Sequence, residues 1–181
     1  MTIVKFPKAD LMRKSCLISL AVLAAACSPQ VASEPAPASG TAGAAADNVT
    51  FSGTHPVSGL EVIPLSVETP DGPHTFHVEV ALTPNEQARG LMFREEMGPD
   101  EGMIFLREEN PHVASFWMKN TPLPLDIIFI DADRRIINIA ANTEPFSEQP
   151  VRSMAPAASV LELNGGRAAE LGIVPGAKVD W

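Results

Sequence analysis

Polar side chains interrupt an apolar stretch, "SFWMKNTPLPLDIIFID", at residues 115–131. They are Trp117, Lys119, Asn120 and Asp126. A polar group in such a segment costs stability unless it is paired, so either the core satisfies these groups or a ligand does. A cation, an amide and a carboxylate could hold a small ligand, with Trp117 as a stacking wall.

Asp126 is the carboxylate whose surroundings the sequence best describes. In a strand at 125–131 it shares a face with Ile128 and Ile130, which predicts partial burial. A buried carboxylate needs a cation or several N–H donors. The candidate cations are Lys119, Arg89 and Arg94.

A second cluster, "RGLMFREEMGPDEGMIF", occupies residues 89–105. Arg89 and Arg94 could bind a carboxylate or phosphate through bidentate contacts. Arg89 could equally neutralise the end of a short helix. Gly90 and Gly102 are not followed by a Gly-rich strand-to-helix motif, which disfavours a phosphate-binding loop.

Three functions are compatible with these residues. The first is a binding domain for a small anionic or peptide-like ligand, held near Arg89, Arg94, Lys119 and Asp126. The second is a hydrolase or lyase with Asp126 as general base and Lys119 as electrostatic stabiliser. The third is a structural or protein-interaction module, in which Asp126 pairs with a cation and no cavity adjoins it.

Metal and cofactor chemistry find little support in the sequence. The cysteines are Cys16 and Cys27, both near the N-terminus, and His74 and His77 fall on opposite faces of a predicted strand. No nucleophile-elbow motif occurs either. We therefore expect no metal site and no cofactor.

The spacing of apolar runs and turns predicts mostly strands. We expect them at residues 60–69, 74–82, 102–107, 113–119, 125–131, 135–140, 159–163 and 177–180. Short helices are predicted at 84–89, after the capping box of Thr83 and Glu86, and at 166–171. The expected fold is α+β, mainly β: a small, partly closed β-barrel or sandwich of mostly antiparallel strands with two short helices.

The first residues resemble an export signal. Arg13 and Lys14 precede the apolar run "CLISLAVLAAA" and then Cys27, a pattern similar to the lipobox of bacterial lipoproteins. We expect a signal peptide at 1–26, lipidation of Cys27, a flexible tether at 27–57 and one globular domain at 58–181. Ser28 favours the outer membrane, facing the periplasm. Ordinary cleavage after Ala26 or Ala46 is the alternative.

Charge limits the partners. Without the first 26 residues, the chain keeps 9 of its 13 basic and 21 of its 22 acidic side chains, a net charge of −12. Such a surface repels nucleic acid, so we expect none as a partner. The expected partners are the membrane, through the lipid anchor, and a small ligand or envelope protein.

Several motifs together resemble the domain-of-unknown-function family number 192. They are "RGLMFR" (89–94), "GMIF" (102–105), "FWMKNTPLPLDIIFID" (116–131), and "VLEL" with the trailing "GGRAAELGIVPGAKV". The resemblance implies a compact, mainly β, barrel-like fold with short helices, and it implies no activity. The family's motif residues fall on Arg89, Gly90, Met92, Arg94, Trp117, Met118, Lys119, Asn120, Thr121 and Asp126. Ser159 departs from the pattern, because an aromatic residue is expected there.

Overall fold

Strands that are apolar on both faces form the centre of the structure. The computed structural model describes residues 53–181. The strands are Gly53–Thr54 (β1), Glu61–Thr69 (β2), Gly72–Ala81 (β3), Glu101–Leu106 (β4), Ser115–Phe116 (β5), Leu125–Ile130 (β6), Ile136–Ala140 (β7), Val151–Arg152 (β8), Ser159–Asn164 (β9) and Val179–Asp180 (β10). The helices are Pro84–Arg89 (α1) and Arg167–Glu170 (α2).

One mixed sheet of eight strands carries the fold. Its order is β1-β2-β3-β4-β9-β6-β7, and β10 pairs with β2. Only β3 and β4 run parallel among its pairs, because α1 forms the crossover between them. β5 and β8 form a separate two-stranded sheet. The α+β, mainly β architecture predicted from the sequence is therefore confirmed, and the sheet is not closed.

Two hydrophobic cores lie on opposite faces of the main sheet. All six residues of β6 are buried, since this strand contributes to both cores. Ile128 and Ile130 belong to the first core, whereas Ile127 and Phe129 belong to the second. This is the alternation expected from the sequence, and it places each polar side chain of a central strand in one core or the other.

Local sequence signals explain both ends of α1. The Thr83 side chain accepts a hydrogen bond from the backbone N–H of Glu86, and the Glu86 carboxylate accepts one from the Thr83 N–H. These backbone donors hold the pKa of Glu86 below its ordinary value. Gly90 ends the helix with a φ of 49°, where glycine meets little steric cost.

Three local predictions need correction. The strand predicted at 113–119 is limited to Ser115–Phe116, because the chain turns away after pairing briefly with β8. The short strands β1 and β8 were not predicted. Residues 53–57, assigned to the tether, belong to the folded domain, since Gly53 and Thr54 pair with β2. The predicted signal peptide, Cys27 and the rest of the tether lie outside the described residues.

Within residues 53–181, no helix is both long enough and apolar enough to cross a membrane.

Candidate functional site

A cavity of about 430 Å³ is lined by residues of α1, β4, β5 and β9. Its volume is typical of small-molecule sites. The helix is fixed beside it by Gln87, whose side-chain amide donates to the carbonyl groups of Leu106, at 2.9 Å, and Ala81, at 3.2 Å. Phe105 and Phe116 supply apolar surface, and their rings meet edge to face at 5.0 Å between centroids.

Glu162 is the acidic residue of this cavity. It lies in the central strand β9, between Met103 of β4 and Ile127 of β6, and is only 5% exposed. Within residues 53–181 its carboxyl group has neither a hydrogen bond nor an ion pair. Burial raises the pKa of Glu162 to about 8. At neutral pH it is therefore mostly a neutral acid, which can donate a hydrogen bond.

Two arginines line the same cavity. The Arg107 guanidinium lies 5.3 Å from the centroid of Phe116, and its Nη1 is 3.1 Å from the Nε2 of His112. Its Nε is buried and has no partner in the described part of the chain. Burial lowers the pKa of Arg107, although a guanidinium stays charged at neutral pH. Arg89, in the last turn of α1, is the second cation.

The charges of the cavity favour an anion. With Glu162 neutral, Arg89 and Arg107 give the lining a net positive charge. Arg107 also presents a buried Nε that no described residue satisfies, which is unusual inside a folded protein, and burial desolvates the Glu162 carboxyl group. A bound carboxylate could accept from both, while the aromatic walls cover an apolar body.

The residues predicted from the 115–131 segment divide between the cavity and its surroundings. Trp117 lines the cavity and is 49% exposed. Lys119 does not line it: its Nζ lies 5.2 Å from the centroid of Trp117 and 3.6 Å from Glu148. The Asn120 side-chain amide contacts the sulfur of Met92 at 3.8 Å. Its backbone is left-handed, with a φ of 55°.

Arg94 binds a carboxylate of the protein itself. Its Nη2 lies 2.8 Å from Glu79 Oε1, and both side chains are almost fully buried. His55 and Ser58 contact the same carboxylate, which fixes the segment after β1 to β3. Arg94 and Arg89 do share a smaller groove of about 170 Å³, but the Arg94 guanidinium is already engaged there.

Asp126 is structural. It is fully buried, and its Oδ1 accepts from the backbone N–H groups of Asn142, at 2.7 Å, and Gly166, at 2.9 Å. Its Oδ2 accepts from Ala168 at 2.8 Å. Of the two kinds of partner that the sequence allowed for Asp126, a cation or several N–H donors, the structure has the backbone N–H donors. Asp126 joins β6 to the segment after β7 and to the start of α2, and it lines neither this cavity nor the smaller groove.

Sequence reasoning missed Glu162 and Arg107. A signal for Glu162 was present, because "SVLEL" places one acid inside a strand of large apolar residues. Arg107 gave none, since an arginine after a strand is ordinarily a surface residue. Its position beside the cavity results from the packing of β5 near the end of β4.

A second cavity, of about 490 Å³, adjoins β1 and β3, but its acidic groups are already paired. Glu79 is held by Arg94. Asp100 lies 2.7 Å from both His74 and Arg167. Partial burial alone would raise the pKa of Asp100, but hydrogen bonds from these two residues hold it below its ordinary value. This cavity therefore offers fewer unsatisfied groups to a ligand.

In the described part of the chain, no group of three or more His, Cys, Asp or Glu side chains is arranged to hold a metal ion.

Two solved structures resemble this one. A protein of unknown function from Novosphingobium aromaticivorans is 56% identical, with a TM-score of 0.69, over 71% of this chain and 91% of its own. A protein from Sinorhizobium meliloti, named provisionally as a transcription regulator, is 39% identical, with a TM-score of 0.64, over 67% and 94%. No curated protein matches the chain.

A family model also matches the chain, over residues 66–181, which covers most of the described domain. The family is DUF192, described as an uncharacterized ACR. The match includes Arg89, Arg107, Trp117 and Glu162, so all the polar groups of the cavity fall within the shared region. The chain belongs to the DUF192 family, domain-of-unknown-function family number 192.

Proposed function

We propose that this chain is an exported envelope lipoprotein whose domain binds small organic carboxylates in the cavity between α1 and β5. One observation carries the proposal: Arg107 and Glu162 line one cavity, where the Arg107 Nε is buried without a partner among the described residues and the Glu162 carboxyl group, 5% exposed, is desolvated. Leaving such groups unsatisfied costs about 1–3 kcal/mol each. A ligand that satisfies both recovers that cost.

A carboxylate fits these groups better than a cation does. Arg89 and Arg107 attract an anion, and a neutral Glu162 donates a hydrogen bond to it. The apolar part of the ligand would lie against Phe105, Phe116 and Trp117. When Glu162 loses its proton near pH 8, it repels the same anion, so affinity should fall as the pH rises through 8.

Titration with phenylacetate tests the cavity. Trp117 fluorescence is the readout, recorded with Trp181→Phe because Trp181 contacts Arg134 elsewhere. We expect saturable binding, reduced about tenfold for phenylacetamide, which lacks the charge. Arg107→Met should abolish binding. Equal affinities for acid and amide, or an unchanged Arg107→Met, would contradict the proposal.

Proton linkage provides the control. In the native protein the phenylacetate affinity should fall between pH 7 and pH 9, following the pKa of about 8 of Glu162. Glu162→Gln keeps a neutral donor and should bind with an affinity that is flat over this range. Identical pH profiles would mean that Glu162 does not face the ligand.

The location rests on the N-terminal sequence. Arg13, Lys14 and the apolar run before Cys27 support export and lipidation, and Ser28 supports sorting to the outer membrane. Metabolic labelling with a radioactive fatty acid in a Gram-negative host should label the native chain and not Cys27→Ser. Label on both would place the anchor elsewhere.

An enzyme is the second candidate, with the catalytic group moved from Asp126 to Glu162. Asp126 is fully buried and does not line the cavity, and Lys119 is paired with Glu148. A buried acid with a pKa of about 8 suits general acid–base chemistry at neutral pH. This candidate would be favoured if the protein hydrolysed p-nitrophenyl esters with a rate whose pH profile changes slope near pH 8, and if Glu162→Gln abolished that hydrolysis.

A further inference from the structure

Three exposed aromatic residues lie next to the turn Met118–Thr121, either in sequence or through backbone hydrogen bonds. Phe93 is 68% exposed, Phe146 62% and Trp117 49%. The other Phe and Trp side chains of residues 53–181 are buried or half-buried. Large apolar side chains gathered at one place on a surface mark an interaction site more often than scattered ones do.

Backbone hydrogen bonds attach Phe93 and Phe146 to this turn. The Phe93 N–H donates to the Asn120 carbonyl at 2.8 Å, and the Phe146 N–H donates to the Thr121 carbonyl at 3.0 Å. Both phenylalanines therefore flank the turn Met118–Thr121, and Trp117 immediately precedes this turn. We call Phe93, Trp117 and Phe146 the aromatic ledge.

The backbone of the ledge is strained. Phe93 and Phe146 have φ values of 64° and 60°, and Asn120 between them has 55°. A bulky residue in the left-handed region is strained, and glycine would avoid that strain. The side chains of the ledge belong to neither core. Backbone strain at residues that do not stabilise a core is characteristic of binding surfaces.

The ledge is continuous with the cavity. Trp117 belongs to both. Met92 and Thr121 also line the cavity: Met92 precedes Phe93 in the chain, and the Thr121 carbonyl accepts a hydrogen bond from the Phe146 N–H. The rest of a bound ligand whose charged end occupies the cavity would therefore extend along the ledge. A phenylacetate-sized molecule does not reach that far, but an extended peptide does.

The charge around the ledge is opposite to that of the cavity. Four exposed carboxylates lie within three residues of Phe93 or Phe146: Glu95, Glu96, Glu144 and Glu148. The nearby cation Lys119 is engaged by Glu148 and Trp117. A ligand that fits both regions is negative at one end and apolar or basic along its length.

We propose that the cavity and the ledge together bind the C-terminal segment of a peptide, with its free carboxylate in the cavity. This inference rests on the proposed carboxylate site. Apolar side chains of the last residues would lie on Phe93, Phe146 and Trp117, and a basic side chain would lie near Glu144 and Glu148. Aromatic anchors beside a charged pocket are typical of peptide recognition.

Fluorescence anisotropy of a fluorescein-labelled peptide ending in Lys-Leu-Phe with a free C-terminus tests the inference on the purified protein. The test variant is Phe93→Asn with Phe146→Asn, because asparagine tolerates the left-handed backbone. It should weaken peptide binding about tenfold and leave phenylacetate binding unchanged. Val174→Asn, which alters an exposed apolar residue outside the ledge, is the control and should change neither.

Each outcome separates the inference from the proposed function. If phenylacetate binds but the double variant retains full peptide affinity, the ledge is not part of the site and the inference falls. The inference also falls if the C-terminally amidated peptide binds as tightly as the acid. If neither phenylacetate nor the peptide binds, the carboxylate site itself is wrong. A weaker affinity for a peptide ending in Glu-Leu-Phe would support the role of the exposed glutamates around the ledge.

Discussion

Asp126 and Glu162 are buried carboxyl groups on adjacent strands of one sheet, yet their surroundings are opposite. Asp126 lies on the face of the first core and accepts hydrogen bonds from three backbone N–H groups. Glu162 lies on the face of the second core, borders a cavity and has no partner among the described residues. Burial alone therefore does not identify a functional acid; the supply of donors does.

The two groups also differ in what they do for stability. Asp126 has the donors that an ionised carboxylate requires, so its charge helps to join three segments of the chain. Glu162 lacks them, and folding therefore favours its protonated form. Retaining an acid in such a position costs stability at neutral pH, which is common at functional sites.

Among the substitutions that test this comparison, Glu162→Gln should produce the largest change in the free energy of unfolding. The pKa of Glu162 rises from 4.5 in the unfolded chain to about 8 in the folded one, so its stabilising contribution is complete below pH 4.5 and is lost as the pH rises through 8. Relative to the native protein, the amide variant should gain about 4 kcal/mol between pH 4.5 and pH 8. Urea unfolding at several pH values measures this difference. Parallel stability curves would show that Glu162 is not desolvated in solution.

Asp126→Asn, the matched amide change, should act in the other direction. The new NH₂ group cannot accept, so it loses either the bond from the Ala168 N–H or the two bonds from the Asn142 and Gly166 N–H groups, and the loss of charge weakens the bonds that survive. We expect a loss of about 3 kcal/mol in the free energy of unfolding at pH 7. Urea denaturation provides the value. A loss close to zero would assign Asp126 no role in the architecture.

Arg94→Met extends the comparison to a third buried carboxylate. It leaves Glu79 without its main cation, although His55 and Ser58 continue to contact it. Because a buried charge loses only part of its compensation, we expect a loss of about 2 kcal/mol. Phenylacetate binding should be unchanged, measured by titration beside the unfolding curve. If Arg94→Met lost phenylacetate binding but kept the full free energy of unfolding, Arg94 would belong to the binding site after all.

Lys119→Met should have the smallest effect. The Lys119 side chain is exposed, and its pairing with Glu148 at 3.6 Å is weakened by solvent. We expect a change of less than about 0.5 kcal/mol in the unfolding free energy. Thermal and urea unfolding are sufficient to check it. A loss of several kcal/mol would mean that Lys119 has a buried role that this geometry does not give it.

The sequence was most informative where the signal is local. The capping box of Thr83 and Glu86, the stop at Gly90 and the alternation of Ile127 and Ile128 were all predictable, because each depends on neighbours in the chain. Of the candidate site residues, Arg89 and Trp117 do line the cavity. Arg94 and Asp126 were recognised as unusual, but their partners were not.

Those partners are distant in sequence. Asp126 binds N–H groups of residues 142, 166 and 168, and backbone donors leave no mark in the amino-acid types. Arg94, which follows α1, pairs with Glu79 of β3, which precedes that helix. The segment at 53–57 has the composition of a tether, yet β1 pairs with β2 through its backbone. Main-chain pairing requires little of the side chains, so the composition of this segment did not predict β1.

By itself, the sequence determined that the domain would be a mainly β fold with two short helices, the first of them capped, and buried polar groups, because periodicity, capping and turn chemistry act over a few residues. Only the tertiary structure decided which of the buried acids is satisfied. That depends on β9 placing Glu162 beside Arg107 at a cavity, and on β6 placing Asp126 beside the donors of α2. The difference between a structural and a functional carboxyl group is therefore one of long-range packing.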